Sequence, residues 1–166
     1  AAAAKDGALA SSDRLRFGTA LGDIGRWPEA AEQFRGVTEP ALAGHAAYYA
    51  ARALLRSNDR DAMPALERTL RDFPDDTLAA SNALYLLGDL ALDRGAIDSA
   101  RTLFRRLVTR YPSSAQYTRS LILSSLIAIE AGDPTTAVHD LDLGIAERNP
   151  SGVNGDALRY WRGRAL

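Results

Sequence analysis

The sequence predicts an all-α fold, a solenoid of helical hairpins with nine helices in about four and a half repeats. One pattern, Gly-x6-Gly-x4-Ala-x3-Phe, occurs at residues 18–34 and again at 88–104. Glycine and proline recur between apolar segments with helical spacing, and no alternating run indicates a strand. The predicted helices cover 11–24, 28–37, 41–56, 60–72, 76–94, 97–110, 114–131, 134–148 and 154–166.

Each hairpin is predicted from a small set of recurring residue types. A glycine ends the first helix, because a left-handed residue costs least without a Cβ. A small alanine lets the two helices approach, a larger residue four positions later fills the layer, and a proline ends the second helix. These positions are Gly25, Gly95 and Gly132; Ala30, Ala62, Ala100 and Ala137; Phe34, Leu66, Phe104 and Leu141; and Pro40, Pro74, Pro112 and Pro150. The loop at 57–61, SNDRD, lacks the glycine.

Helix starts are predicted from capping residues. Asp133 precedes Pro134, and Asp76 precedes an apolar helical run, so both are read as acids at a helix N-terminus. Ser113 and Gln116 have the spacing of a capping box. For the last helix, Asn154 or Asp156 is the expected cap.

These spacings resemble tetratricopeptide repeats over residues 11–166, most typically at 81–114. The resemblance implies a right-handed superhelix with a concave groove lined by the first helix of each pair. Shorter phrases, YYAARAL at 48–54 and YWRGRAL at 160–166, resemble the non-catalytic helical region of bacterial soluble lytic murein transglycosylases. The segment LFRRLVTRYPSS also resembles repeats of bacterial cell-envelope lipoproteins.

The domain organisation follows from the repeat. Residues 1–10 are expected to be a tail, and residues 11–166 a single repeat domain that is a fragment of a longer chain. The last helix carries Leu158, Trp161 and Ala165 at helical spacing, with Tyr160 and Leu166 on other sides. We therefore expect further repeats, a symmetry mate or a partner to cover this end.

Composition excludes several kinds of chemistry. Cysteine is absent, which rules out thiolate catalysis and cysteine zinc sites. The single lysine, Lys5, leaves none for a phosphate loop, and a net charge of −1 gives no case for nucleic acid binding. His45 and His139 lie on different predicted helices, and Asp140 and Asp142 point apart on theirs. We predict no catalytic residue, no cofactor and no metal.

Two charged sets remain as candidates. Arg101, Arg105, Arg106 and Arg110 form the densest basic cluster, which a solvated face explains better than a phosphate-binding patch. First-helix residues aligned between repeats are the second set, because tetratricopeptide repeats turn this line toward the groove. The predicted partner-binding residues are Tyr48, Arg52, Asn82, Tyr85, Asp89, Asp93, Arg119, Tyr160 and Arg164. Ordinary packing of the tyrosines is the equally weighted alternative.

The predicted function is a non-catalytic scaffold that binds a protein or peptide partner through this groove. The alternative is the superhelical domain of a peptidoglycan lytic transglycosylase whose catalytic domain lies outside this chain. A bacterial periplasm or cell envelope is the favoured location, and the cytoplasm is left open. Neither nucleic acid binding nor membrane insertion is expected.

Overall fold

A computed structural model of the chain describes residues 9–148 and 152–166. Within these ranges there are nine helices and no strand. They are α1 (Ser11–Asp23), α2 (Trp27–Arg35), α3 (Pro40–Arg56), α4 (Ala62–Asp72), α5 (Thr77–Asp93), α6 (Ile97–Arg110), α7 (Tyr117–Glu130), α8 (Pro134–Arg148) and α9 (Gly152–Ala165). The predicted helix count and the all-α fold are confirmed, with every boundary within three residues.

The chain divides into two compact units, residues 1–80 and 81–166, with the division inside α5. In the first unit α1 packs on α2, α2 on α3, and α3 on α4. In the second unit α6 packs on α7, α7 on α8, and α8 on α9. The prediction of one repeat domain over 11–166 stays a prediction, and most of the expected tail lies outside the described residues.

In both units, a residue with a positive φ angle follows the end of a helix. Gly25, Gly95 and Gly132 have φ angles of 78°, 72° and 79°, as the repeat pattern predicts. In the loop without glycine, Asn58 takes this role with a φ of 56°. Asparagine is among the few side chains that tolerate the left-handed region, which explains how the SNDRD loop closes the same turn.

The predicted hairpin cores are also confirmed. All four alanines and all four larger residues of the repeat pattern are buried. A Cβ added to Gly18 would lie 2.7 Å from the Phe34 ring, and one added to Gly88 would lie 2.6 Å from the Phe104 ring. Glycine on the first helix therefore makes room for the phenylalanine of the second, which is why both occur together in the sequence.

Two predicted caps are confirmed. The Asp133 carboxylate accepts a hydrogen bond from the Thr136 backbone N–H at 3.2 Å. The Asp76 carboxylate accepts one from the Ala79 N–H at 3.0 Å.

Three local predictions are wrong. Ser113 makes no capping box, since α7 begins at Tyr117 and Gln116 is its N-cap without a side-chain cap bond. Asn154 and Asp156 lie inside α9, which begins at Gly152. Pro40 is the first residue of α3, where its missing N–H costs no helical bond. The predicted stop at Pro150 lies outside the described residues.

The last helix is only partly covered by α7 and α8. Leu158 is buried in a cluster with Tyr117, Leu121 and Leu141, and Trp161 packs against that cluster while remaining partly exposed. Tyr160 and Leu166 are exposed. The expectation that α9 carries apolar groups on more than one side therefore agrees with the described side chains.

Candidate functional site

Four predicted partner-binding residues share one face of α5. Asn82, Tyr85, Asp89 and Asp93 follow one another at intervals of three, four and four residues. That spacing places side chains on a single helical face. Only Tyr85 is buried; Asn82 and Asp89 are half-buried and Asp93 is exposed. The face thus has one aromatic ring set in a row of accessible polar groups.

The start of α7 supplies the facing row. The Gln116 side-chain amide donates a hydrogen bond to the Asn82 amide oxygen at 3.1 Å. One turn along, the Arg119 guanidinium carbon lies 5.3 Å from the centre of the Tyr85 ring. An arginine at this distance over an aromatic face is attracted by the electron density of the ring. We call Asn82, Tyr85, Asp89, Gln116 and Arg119 the α5–α7 surface.

The Tyr85 ring is a fixed platform for the arginine. Its far side meets Phe104 of α6, with ring centres 6.0 Å apart. Burial raises the pKa of the Tyr85 hydroxyl, and the negative charge of Asp89 raises it further, while Arg119 opposes both. Burial and the Asp89 charge both disfavour the phenolate, so the hydroxyl stays neutral beside the Arg119 guanidinium.

The α5–α7 surface is suited to recognition by hydrogen bonds. It offers an exposed guanidinium, a carboxylate and an amide pair beside one aromatic ring. Among the described residues, no group of three or more metal-ligating side chains is assembled. The arrangement can therefore bind a polar, extended ligand, and it has no pair of carboxylates held across a cleft for acid–base work.

The first unit places its predicted residues differently. Tyr48 is buried, and burial raises the pKa of its hydroxyl. Arg52 is exposed and lines a small cavity of about 70 Å³ among α1, α2 and α3. The aromatic residues that line it are Trp27, Phe34 and Tyr49, none of which is a predicted partner-binding residue. Tyr49 stacks on Phe34, with ring centres 5.4 Å apart.

The residues on α9 do not match their predicted counterparts in burial. Tyr160 is 60 % exposed, whereas Tyr48 and Tyr85 are each 8 % exposed. Arg164 is exposed near the end of α9. Tyr160 therefore has a different packing environment from the two tyrosines with which the sequence repeat aligns it.

A cleft not selected from the sequence opens in the second unit. It lies between α6 and α8, with α7 as its floor, and has a volume of about 340 Å³. Its lining residues are Arg105, Val108, Thr109, Tyr117, Leu121, Ser124, His139, Asp140 and Leu143. The sequence does not predict this cleft, because its lining residues come from three helices and have no regular spacing along the chain.

The four arginines of the basic cluster on α6 make different contacts. Arg101 bonds Asp133 at 3.2 Å, and Arg105 lies 3.7 Å from Asp140. Arg106 is exposed, and Arg110 lies over the Tyr111 ring at 5.8 Å. Asp142 contacts Arg162 of α9, so Asp140 and Asp142 point apart as predicted. The four arginines do not converge on one anion site.

The two histidines lie in separate settings. His45 Nε2 is 3.8 Å from a carboxylate oxygen of Asp76 in the first unit. His139 is exposed on α8 in the second unit. Across the described parts of the chain, no helix combines the length and apolarity that a bilayer crossing requires.

Residues 58–115 match the family model of the tetratricopeptide repeat. Among solved structures, the crystal structure of MamA protein is similar over 84 % of this chain and 73 % of its own, with 19 % identity and a TM-score of 0.59. A Podosopora anserina putative kinesin light chain with nearly identical TPR-like repeats is similar over 93 % of this chain and 84 % of its own, with 16 % identity and a TM-score of 0.63. No curated protein matches the chain significantly in sequence.

These similarities show the fold. The tetratricopeptide match covers α4, α5 and α6, and the solved structures extend the likeness over most of the chain. Proteins of this repeat type are in general non-catalytic scaffolds that bind other proteins, because stacked repeats present extended binding surfaces. Which surface of this chain is used is a separate question.

Proposed function

We propose that this chain, a tetratricopeptide-like repeat protein, is a non-catalytic scaffold that binds a partner polypeptide through the α5–α7 surface. The observation that carries the proposal is the Arg119 guanidinium over the Tyr85 ring at 5.3 Å, beside the bonded amides of Asn82 and Gln116. A partly fixed arginine loses less side-chain entropy on binding than a free one. Aromatic and arginine side chains are those that most often dominate protein interfaces.

An extended polypeptide fits the chemistry of this surface. A main chain carries donors and acceptors at every residue, and the surface offers both along two helical turns. The Asn82 and Gln116 amides match peptide groups, and Arg119 and Asp89 match polar or charged side chains. Tyr48 and Arg52 of the first unit, and Tyr160 and Arg164 of α9, stay predictions as further contacts.

The experiment is a peptide selection followed by variant binding. Peptides selected on the immobilised chain from a random display library are measured by fluorescence anisotropy. Arg119→Ala should weaken their binding about 10-fold or more, since a charged hydrogen bond contributes about 1.5–3 kcal/mol. Arg106 on α6 is also exposed, so Arg106→Ala is the control and should change the affinity less than twofold.

Two results would contradict this function. One is that no peptide is selected. The other is that Arg119→Ala binds as well as the unchanged chain while folding normally by circular dichroism.

For the compartment, we propose the bacterial cell envelope. The support is the likeness of LFRRLVTRYPSS to repeats of envelope lipoproteins, and that of YWRGRAL to the helical region of lytic transglycosylases. Osmotic-shock fractionation of the source cells, with antibodies to this chain, tests the location. Recovery only with cytoplasmic markers would reject it.

A further inference from the structure

The cleft between α6 and α8 is distinct from the α5–α7 surface in its residues. Its floor is made of Tyr117, Leu121 and Ser124 of α7, all buried. Its walls carry Val108 of α6 and Leu143 of α8. At about 340 Å³ it is within the range of sites that hold small ligands or single anchor groups.

Two aliphatic side chains on the walls of the cleft reach solvent. The apolar side chain of Leu143 is 45 % exposed to water, and that of Val108 is half-buried. Gly144 has no side chain, and a Cβ there would collide with Leu121, so α8 lies tightly on α7 just below the opening. The cleft is therefore a bounded depression with a packed floor rather than a loose gap between helices.

The rim carries one positive and one negative group side by side. Arg105 Nε is 3.7 Å from Asp140 Oδ2, which is longer than a hydrogen bond. The Asp140 side chain is only 17 % exposed, whereas that of Arg105 is 52 % exposed. Thr109 and His139 complete the polar edge.

This rim selects a neutral ligand. An anion entering the cleft would face the Asp140 carboxylate, and a cation would face the Arg105 guanidinium. The main chain of a polypeptide is neutral, and in an extended chain the N–H and the C=O of one residue point to the same side, so they can bond Asp140 and Arg105 at the same time. We propose that the cleft is a second binding site that takes one large apolar side chain of a polypeptide, with the peptide groups flanking it bonded to the Arg105–Asp140 pair.

The anchor is a phenylalanine, leucine or tryptophan residue. Such a side chain removes Leu143 and Val108 from water when it fills the cleft, and polar edges that exclude water from an apolar anchor are typical of strong interface positions. The cleft would add a contact on the second helices of the repeats, whereas the α5–α7 surface is formed by first helices. Either site can exist without the other.

The test is nuclear magnetic resonance titration of the ¹⁵N-labelled chain with capped pentapeptides, Gly-Gly-X-Gly-Gly. With X as Phe, Leu or Trp, amide signals of Val108, Thr109, Ser124 and Leu143 should shift in a saturable way. With X as Lys, Glu or Gly they should not. Leu143→Arg should weaken binding at least 10-fold, whereas Ile97→Arg, at a residue 43 % exposed in the first turn of α6, should leave it within twofold.

Other outcomes overturn the proposal. Shifts absent with all three apolar peptides, equal binding of the Lys or Glu peptide, or unchanged binding by Leu143→Arg would each reject the cleft as an anchor site. If free indole binds as tightly as the Trp peptide, the Arg105–Asp140 pair contacts no peptide group and the site takes a small apolar molecule instead. Arg119→Ala should not alter these titrations, so failure here and failure at the α5–α7 surface are distinguishable.

Discussion

The ring of Phe104 occupies the space where a side chain at Gly88 would stand, since a Cβ there would lie 2.6 Å from the ring carbon Cε1. Phe104 is fully buried, and its ring also meets that of Tyr85 at 6.0 Å. The glycine thus fixes the distance between α5 and α6 and, through Tyr85, the position of Arg119. Packing within one hairpin is in this way connected to the polar surface of the second unit.

Gly88→Ala should destabilise the protein. The added methyl group must displace the Phe104 ring or separate α5 from α6, and overpacking of this kind costs about 1–3 kcal/mol. Gly163→Ala is the matched control, because a Cβ at Gly163 meets nothing within 4 Å and alanine favours the helix by about 0.5–1 kcal/mol. Urea unfolding should give opposite signs for the two. Equal stability of both variants would mean that the ring does not pack on the glycine.

Ser114→Ala should cost about 1–3 kcal/mol, because Ser114 donates a buried hydrogen bond of 2.8 Å to the Ser81 hydroxyl oxygen. Ser113→Ala should cost almost nothing, since Ser113 is exposed and caps no helix. Thermal unfolding of the two variants measures the difference. A larger loss for Ser113→Ala would restore the capping box that the sequence predicts and contradict the structure.

The sequence predicted most of the repeat but not its local exceptions. Glycine is the residue that most readily adopts a left-handed backbone, so the pattern predicts helix ends at Gly25, Gly95 and Gly132. Asparagine adopts this conformation less often, so the turn at Asn58 is not predicted from the sequence. The spacing of Ser113 and Gln116 predicts a capping box because capping is a local rule, whereas the hydrogen bond from Ser114 to Ser81 joins residues 33 apart. Contacts between residues this far apart produce no regular pattern in the sequence.

The two candidate sites also differ in how far the sequence predicts them. Asn82, Tyr85, Asp89 and Arg119 were predictable because repeated first helices place equivalent residues on one face. The cleft between α6 and α8 was not, because Arg105, Asp140 and Leu143 come together only once three helices are packed. Burial could not be foreseen either, because Tyr160 is 60 % exposed and Tyr85 is 8 % exposed although the sequence repeat aligns them.

Asn58 should tolerate glycine and resist alanine. Its φ of 56° disfavours a Cβ without a local polar group, so Asn58→Ala should lower the unfolding free energy by about 1 kcal/mol. Asn58→Gly should leave it unchanged or raise it slightly. Differential scanning calorimetry compares the three proteins. Equal melting temperatures for the alanine and glycine variants would show that this loop does not use the left-handed turn.

The contact between α8 and α9 should weaken in acid. The hydrogen bond from Arg162 lowers the pKa of the Asp142 carboxyl below its ordinary value. A carboxyl group whose pKa is lowered by folding stabilises the folded state at pH values above its ordinary pKa of about 3.9. This stabilisation is lost as the pH falls toward the pKa of the group in the folded state. Asp142→Asn should therefore lower the melting temperature at pH 7 and have little effect near pH 3.

The control for this pH dependence is Asp156→Asn, whose carboxylate on α9 is 81 % exposed and lies 3.8 Å from Arg159. It should change the melting temperature little at either pH, because exposed ion pairs are strongly screened. An Asp142→Asn effect of the same size at pH 3 and pH 7 would show that the Arg162 contact does not depend on the ionised carboxylate.

Site-specific photo-cross-linking tests the proposed binding surface most directly. A photoreactive phenylalanine analogue replaces Asp89 on the α5–α7 surface or, as control, Arg106 on α6, and each protein is irradiated with the peptides selected for binding. The proposed function predicts a cross-linked product from position 89 and none from position 106. Cross-linking from position 106 alone would place the bound polypeptide elsewhere on the repeat and contradict the proposal.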